Sequence, residues 1–137
     1  MRCFYSVLFL GVLLISPGCG EGDPLSRQRV SGEIKLDGAP LANGTIAFSP
    51  TDPKGTSSGA SITGGKYEIP AEKGLPPGDY LVRITASDDN AQPVEAPGES
   101  NNIAVELIPA EYNTESTQKF TVKAGAENLY NLNITSR

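Results

Sequence analysis

The chain has 137 residues, with 11 Lys and Arg against 16 Asp and Glu for a net charge of −5, two cysteines, and neither histidine nor tryptophan. With no basic patch and no basic residues interleaved with aromatics, that balance argues against phosphate-backbone and anionic-membrane binding, so no nucleic-acid partner is expected. The absence of histidine excludes His-based triads, imidazole zinc sites and Cys–His nucleophiles within the chain.

Met1-Arg2-Cys3 is followed by an apolar stretch from Phe4 to Ile15 and then by Ser16-Pro17-Gly18-Cys19-Gly20. The apolar stretch has the length of an export-signal core and falls short of the roughly 20 residues that a membrane-spanning helix needs. Gly18-Cys19 resembles the cleavage site of a bacterial lipoprotein signal, in which the cysteine receives diacylglycerol and becomes the mature N-terminus. Ser16 departs from the aliphatic residue usual at that position, and Arg2 is the only basic residue ahead of the apolar core. The alternative is an ordinary signal peptide with an incidental cysteine. On the lipoprotein reading, residues 1–18 are the signal peptide and Cys19 is the lipidation site. The domain is then exported and lipid-anchored to a bacterial membrane, facing the periplasm or the cell exterior. Loss of Arg2 takes the net charge to −6. With Cys3 removed and Cys19 consumed by lipid, no intramolecular disulfide remains and stability rests on the core.

Removal of the first 18 residues leaves 119, the size of one domain. Residues 19–28 are polar and without periodicity, which suits a lipidated tether, and the folded domain is expected over 29–137. Val30, Gly32, Ile34 and Leu36 alternate with Ser31, Glu33 and Lys35 as in a half-buried strand, and Asp37-Gly38 supplies a turn leading to Pro40 and Leu41. Thr45 to Phe48 reads as the returning strand, with Ile46 and Phe48 on one face. Pro50 and Pro53 are expected in a loop, because neither can donate to a ladder. Ala60 to Thr63, Gly64-Gly65, and Lys66 to Ile69 form a second hairpin with Tyr67 and Ile69 facing the core.

Leu75-Pro76-Pro77-Gly78-Asp79-Tyr80 is a turn signal before the most strand-like segment, Leu81 to Ala86, and Tyr80, Val82 and Ile84 form one stripe. Ser87 to Asn102 reads as a long loop. Ile103 to Ile108 is partly extended on this reading, while Pro109 followed by Ala110-Glu111-Tyr112 equally fits one short helical turn. Gln118 to Val122 and Leu129 to Ile134 are the last strand candidates. Such a series of short strands, punctuated by glycine and proline, predicts an all-β fold of two packed antiparallel sheets.

Several segments in this order resemble one family: Val30-Ser31-Gly32-Glu33-Ile34 leading into Asp37-Gly38-Ala39-Pro40-Leu41, then Ile46-Ala47-Phe48, Gly65-Lys66-Tyr67, Leu75-Pro76-Pro77-Gly78-Asp79-Tyr80-Leu81-Val82, and Ile108-Pro109-Ala110-Glu111-Tyr112-Asn113 with Ser116-Thr117. The chain is similar to the transthyretin-like, carboxypeptidase-regulatory-like domains of bacterial, especially planctomycetal, lipoproteins. The resemblance spans Val30 to Ile134. It implies an immunoglobulin-like, seven-stranded antiparallel β-sandwich of the prealbumin type, serving as an accessory, folding-support or adhesion module. Fold does not fix function, however. Within those segments Gly32, Asp37, Gly38, Pro40, Gly65, Tyr67, Pro77, Gly78, Tyr80, Pro109 and Tyr112 are the expected structural motif residues. Tyr80 is expected to bury its ring while its hydroxyl finds a nearby partner, and Tyr112 to pack beneath the closing loop.

No catalytic residue, cofactor or metal site is expected. Asp88, Asp89, Glu95 and Glu99 offer oxygen ligands for calcium, but the spacing and glycine of an EF-hand loop are absent, and a charged loop is more often solvated. A glycosidase would need two carboxyls held about 5 to 9.5 Å apart, and nothing pairs any two here. Two functional classes follow. One is a non-catalytic envelope module with a structural or protein-interaction role and an envelope protein as partner. The other is a small-ligand or glycan-binding module that uses the loops Pro50 to Ser58 and Ser87 to Asn102.

Overall fold

The computed structural model describes residues 22–88 and 105–136. Its strands are β1 (Val30–Leu36), β2 (Ala39–Pro40), β3 (Asn43–Pro50), β4 (Ser58–Thr63), β5 (Lys66–Ile69), β6 (Gly78–Thr85), β7 (Lys119–Val122), β8 (Asn128–Leu129) and β9 (Leu132–Ile134), with 3-10 turns at Ala71–Lys73 and Ala110–Tyr112. They form an all-β, mostly antiparallel sheet in the order β2-β1-β5-β4-β3-β6-β7, with β8 and β9 beside β1. The signal segment, Cys19, and Asp89, Glu95 and Glu99 of the long loop lie outside the described residues.

Alternation along each strand builds one core. Val30 and Ile34 of β1, Ile46 and Phe48 of β3, Ile62 of β4, Tyr67 and Ile69 of β5, Tyr80, Val82 and Ile84 of β6, Val122 of β7 and Ile134 of β9 are all buried. Their sequence neighbours on the other face of the pleat are exposed or half-buried. Burial of each such side chain contributes about 1.5–3 kcal/mol, and no described disulfide supplements it.

Two tight turns set the hairpin registers. Asp37 and Gly38 have φ of 52° and 84°, and Gly64 and Gly65 have 58° and 80°. Positive φ at both central residues matches the twist of the flanking strands. The second turn is tied to the first hairpin by Gly64 N donating to Ala42 O at 2.9 Å and Gly65 N to Leu41 O at 2.7 Å.

The sheet differs from a seven-stranded antiparallel one in three respects. The chain pairs again directly after Asp37-Gly38, so Ala39–Pro40 is a short strand against Lys35 and Leu36. The expected strand from Leu129 to Ile134 is split in two. Both halves run parallel to β1, because the chain between β1 and β8 crosses the domain and returns in the same direction, as parallel pairing requires. Pro50 closes β3 opposite Tyr80 instead of lying in the loop. It lacks a donor, and the next residue takes over, with Thr51 N donating to Asp79 O at 2.9 Å.

Candidate functional site

β8 and β9 hold one register against β1. Ser31 pairs with Leu129 and Ile34 with Leu132, so the break at Tyr130-Asn131 inserts no residue. What breaks the ladder is Gly32. A Cβ built there would lie 1.9 Å from the Tyr130 carbonyl oxygen, so only glycine lets that carbonyl turn inward, where it accepts the Tyr67 hydroxyl at 2.9 Å. Tyr130 N still donates to Ser31 O at 3.0 Å, and the missing rung is replaced by Glu33 N donating to Asn131 Oδ1 at 2.7 Å. Gly32 and Tyr67, far apart in sequence, meet at a residue that the sequence reading did not single out. Burial raises the Tyr67 hydroxyl well above the ordinary tyrosine value, with the Tyr130 hydroxyl adding to the shift.

Outside this knot lies a shallow groove of about 550 Å³ lined by Ser31, Gly32, Glu33, Ser61, Lys66, Tyr67, Glu68, Leu129 and Asn131. A second hollow of about 310 Å³ shares Glu33 and Asn131 and continues to Lys35, Leu132 and Asn133. Glu68 pairs with Arg29 at 3.0 Å and Glu33 with Lys35 at 3.9 Å. Both pairs are exposed and contribute little to stability. The surface is one of hydroxyls, amides and balanced charge beside an exposed Leu129. It offers hydrogen bonds to a ligand or partner and no nucleophile with a base. Among the described residues, none that lines the groove comes from Pro50 to Ser58 or from Ser87 and Asp88; the rest of the expected loop to Asn102 lies outside the described residues.

A further hollow of about 370 Å³ is lined by Glu106, Ile108, Glu111, Glu115 and Ser136 among others. Its Glu106 carboxylate is already occupied, with Oε1 accepting from Ala86 N at 2.8 Å and Ile108 N at 3.1 Å. This side chain and the bridge from Ser87 to Glu106 extend the edge beside the end of β6. Among the described residues no group of three or more carboxylates or cysteines is placed to hold a metal ion, and no helix is long and apolar enough to cross a membrane.

The remaining motif residues are at turns. Asp37 accepts the Ser136 amide at 2.8 Å and the Ser136 hydroxyl, and its own N–H donates to Ile134 O at 2.7 Å, while Gly38 N donates to Asn133 Oδ1 at 3.2 Å. The Ser136 hydroxyl and then its amide hold the Asp37 carboxyl below the ordinary carboxylate value. Pro40 sits against Gly65, where a Cβ would approach the Pro40 Cβ to 2.7 Å. Tyr80 turns its hydroxyl to the Pro76 carbonyl at 2.7 Å, over the turn of Pro77 and Gly78, the latter at φ 153°. Pro109 precedes the 3-10 turn that carries half-buried Tyr112 onto the core.

Sequence reasoning passed over Asn128, Tyr130 and Asn131 and gave Ser116 no role beyond its place in the closing segment. Ser116 is buried and donates to the Val82 carbonyl, and buried Asn128 accepts from Lys123 N at 2.8 Å. The available signal was polar residues interrupting or flanking apolar strand runs, where a buried side chain must find a backbone partner.

No family model and no curated protein matches the chain. A crystal structure of a protein provisionally described as an adhesin, from Bacteroides ovatus, is similar over 92% of this chain at 14% identity with a TM-score of 0.47. The chain spans 50% of that protein's length. At that score the function has to be argued from the residues themselves.

Proposed function

We propose that this chain is a non-catalytic, membrane-anchored envelope lipoprotein domain of the prealbumin type with a structural or protein-interaction role. Residues 1–18 are its signal peptide, 19–28 a tether lipidated at Cys19, and 29–137 the β-domain. What supports a non-catalytic role is the use made of polar side chains. Asp37, Tyr67, Tyr80, Glu106, Ser116 and Asn128 each hold a backbone group. The chemistry left facing outward is a shallow hydrogen-bonding groove and a sheet edge, which suits recognition by contact.

Intact mass spectrometry of the membrane fraction, compared between the natural chain and Cys19→Ser, tests the anchor. Acyl mass on an N-terminal Cys19, lost with release of the variant, is expected. An unacylated soluble product from the natural chain overturns the lipoprotein reading and moves the domain to a freely diffusing role.

A further inference from the structure

β7 ends the sheet, and its bonding to β6 fixes which of its backbone groups face away. Val82 N donates to Gln118 O at 2.8 Å. The hydrogen-bonded positions are therefore Gln118, Phe120 and Val122, and the backbone groups of Lys119, Thr121 and Lys123 point outward. At Lys123 both are taken: Asn128 Oδ1 accepts from Lys123 N at 2.8 Å, and Asn128 Nδ2 donates to Lys123 O at 3.1 Å. One amide side chain supplies there what a residue of a neighbouring strand would supply. Lys119 and Thr121 are exposed, and no strand other than β6 pairs with β7 among the described residues.

We propose that this edge docks an extended acidic segment of a partner protein by strand addition. The ladder forms at Lys119 and Thr121, and the charge preference comes from Lys119 and Lys123. The proposal deepens the interaction role argued above and rests on it. Alternation places Lys119, Thr121 and Lys123 on the solvent face, with half-buried Phe120 and buried Val122 on the other. Neither lysine enters an ion pair among the described residues. The neighbouring Asp79 carboxylate is engaged by the Thr121 hydroxyl at 2.6 Å. A second copy is a poor occupant, because antiparallel pairing of two such strands about Thr121 sets Lys119 of one against Lys123 of the other. Edge lysines that keep identical strands apart attract an acidic one.

The test titrates the isotope-labelled full chain with two short extended peptides, one alternating Glu with Thr and one alternating Lys with Thr, and follows amide NMR shifts and exchange. The Glu peptide is expected to shift and protect the Lys119 and Thr121 amides, and the Lys peptide is not. Reversal at both positions, Lys119→Glu with Lys123→Glu, weakens the Glu peptide about tenfold or more and admits the Lys peptide. Thr121→Pro abolishes the protection with the sheet intact, because the Thr121 N–H is not bonded to β6; should that variant not fold, the charge reversal decides. Equal binding of both peptides, no binding, or self-association through β7 overturns the proposal. Shifts confined to the groove over Gly32 overturn the edge while leaving an interaction role standing.

Discussion

The Tyr67 hydroxyl donates to the Tyr130 carbonyl at 2.9 Å across a strand position that Gly32 leaves open. This bond joins β5 to the break between β8 and β9 through the middle strand, β1, and it fixes where the parallel ladder is interrupted. It also places Tyr130 edge-on to Phe48, at 6.1 Å between centroids, and to Phe120, at 5.3 Å.

Gly32→Ala puts a methyl group against a backbone oxygen that cannot rotate away. The expected cost is about 3 kcal/mol, as for overpacking at a rigid site. Urea unfolding of the variant against the natural domain measures it. A loss within experimental error of zero would show that the Tyr130 carbonyl is not held over Gly32.

The two tyrosine hydroxyls of the knot differ in kind. Tyr67→Phe leaves the Tyr130 carbonyl without its donor and is expected to cost about 1–2 kcal/mol. The Tyr130 hydroxyl is buried with no hydrogen-bond partner among the described residues, so Tyr130→Phe removes a desolvated group that gives nothing in return. It is expected to be neutral or to stabilise by up to about 1 kcal/mol. Thermal melts of both single variants decide the matter, and equal losses in the two would contradict this asymmetry.

The strands and their buried faces are readable in the sequence because period-two alternation is local. Ile46 and Phe48, Tyr67 and Ile69, and Tyr80, Val82 and Ile84 announce themselves within four or five residues. So do the turns, since Asp37-Gly38 and Gly64-Gly65 supply the positive φ that two-residue hairpins require. What is not readable is where distant polar groups meet. Nothing near Gly32 reveals that Tyr130 will present its carbonyl there, and nothing near Lys123 reveals that Asn128 will cap it. The direction of β9 is hidden for the same reason, because parallel pairing with β1 is decided by the path of the whole intervening chain. The groove on the face shared by β1, β5 and β8 is not readable either, because only the sheet order brings those strands together.

At the Asp37 turn, the carboxylate accepts both the amide and the hydroxyl of Ser136 and so fastens the end of the chain to the first hairpin. Because these bonds lower its folded-state pKa, its contribution is fully present above the unfolded value of about 3.9 and is lost as pH falls through the lowered folded value. The protection factor at the Ser136 amide, taken against its intrinsic exchange rate at each pH, is therefore expected to fall on acidification through that window. Asp37→Asn keeps a residue tolerant of positive φ but removes the charge, so protection at Ser136 should be lower at neutral pH and lose its acid dependence. Identical pH profiles for the natural chain and the variant would detach the turn from this role.

Alkaline stability follows the opposite branch. Burial raises the hydroxyl of Tyr67 beyond the ordinary range, that of Tyr130 to about 12 with the Tyr112 hydroxyl as a second cause, and that of Tyr80 as well. A tyrosine is neutral when protonated, so the folded state keeps protons that the unfolded chain releases near pH 10. Their contribution is complete below about 10 and is lost as pH rises through the folded values, with the unfolded chain binding fewer protons at every step. Tyrosinate absorbance from the core tyrosines should accordingly appear only together with collapse of the β-sheet circular dichroism signal. If Tyr67 and Tyr130 ionised reversibly in a chain that keeps its sheet, the knot over Gly32 would be open to solvent, and the tight closure assigned to it would not hold.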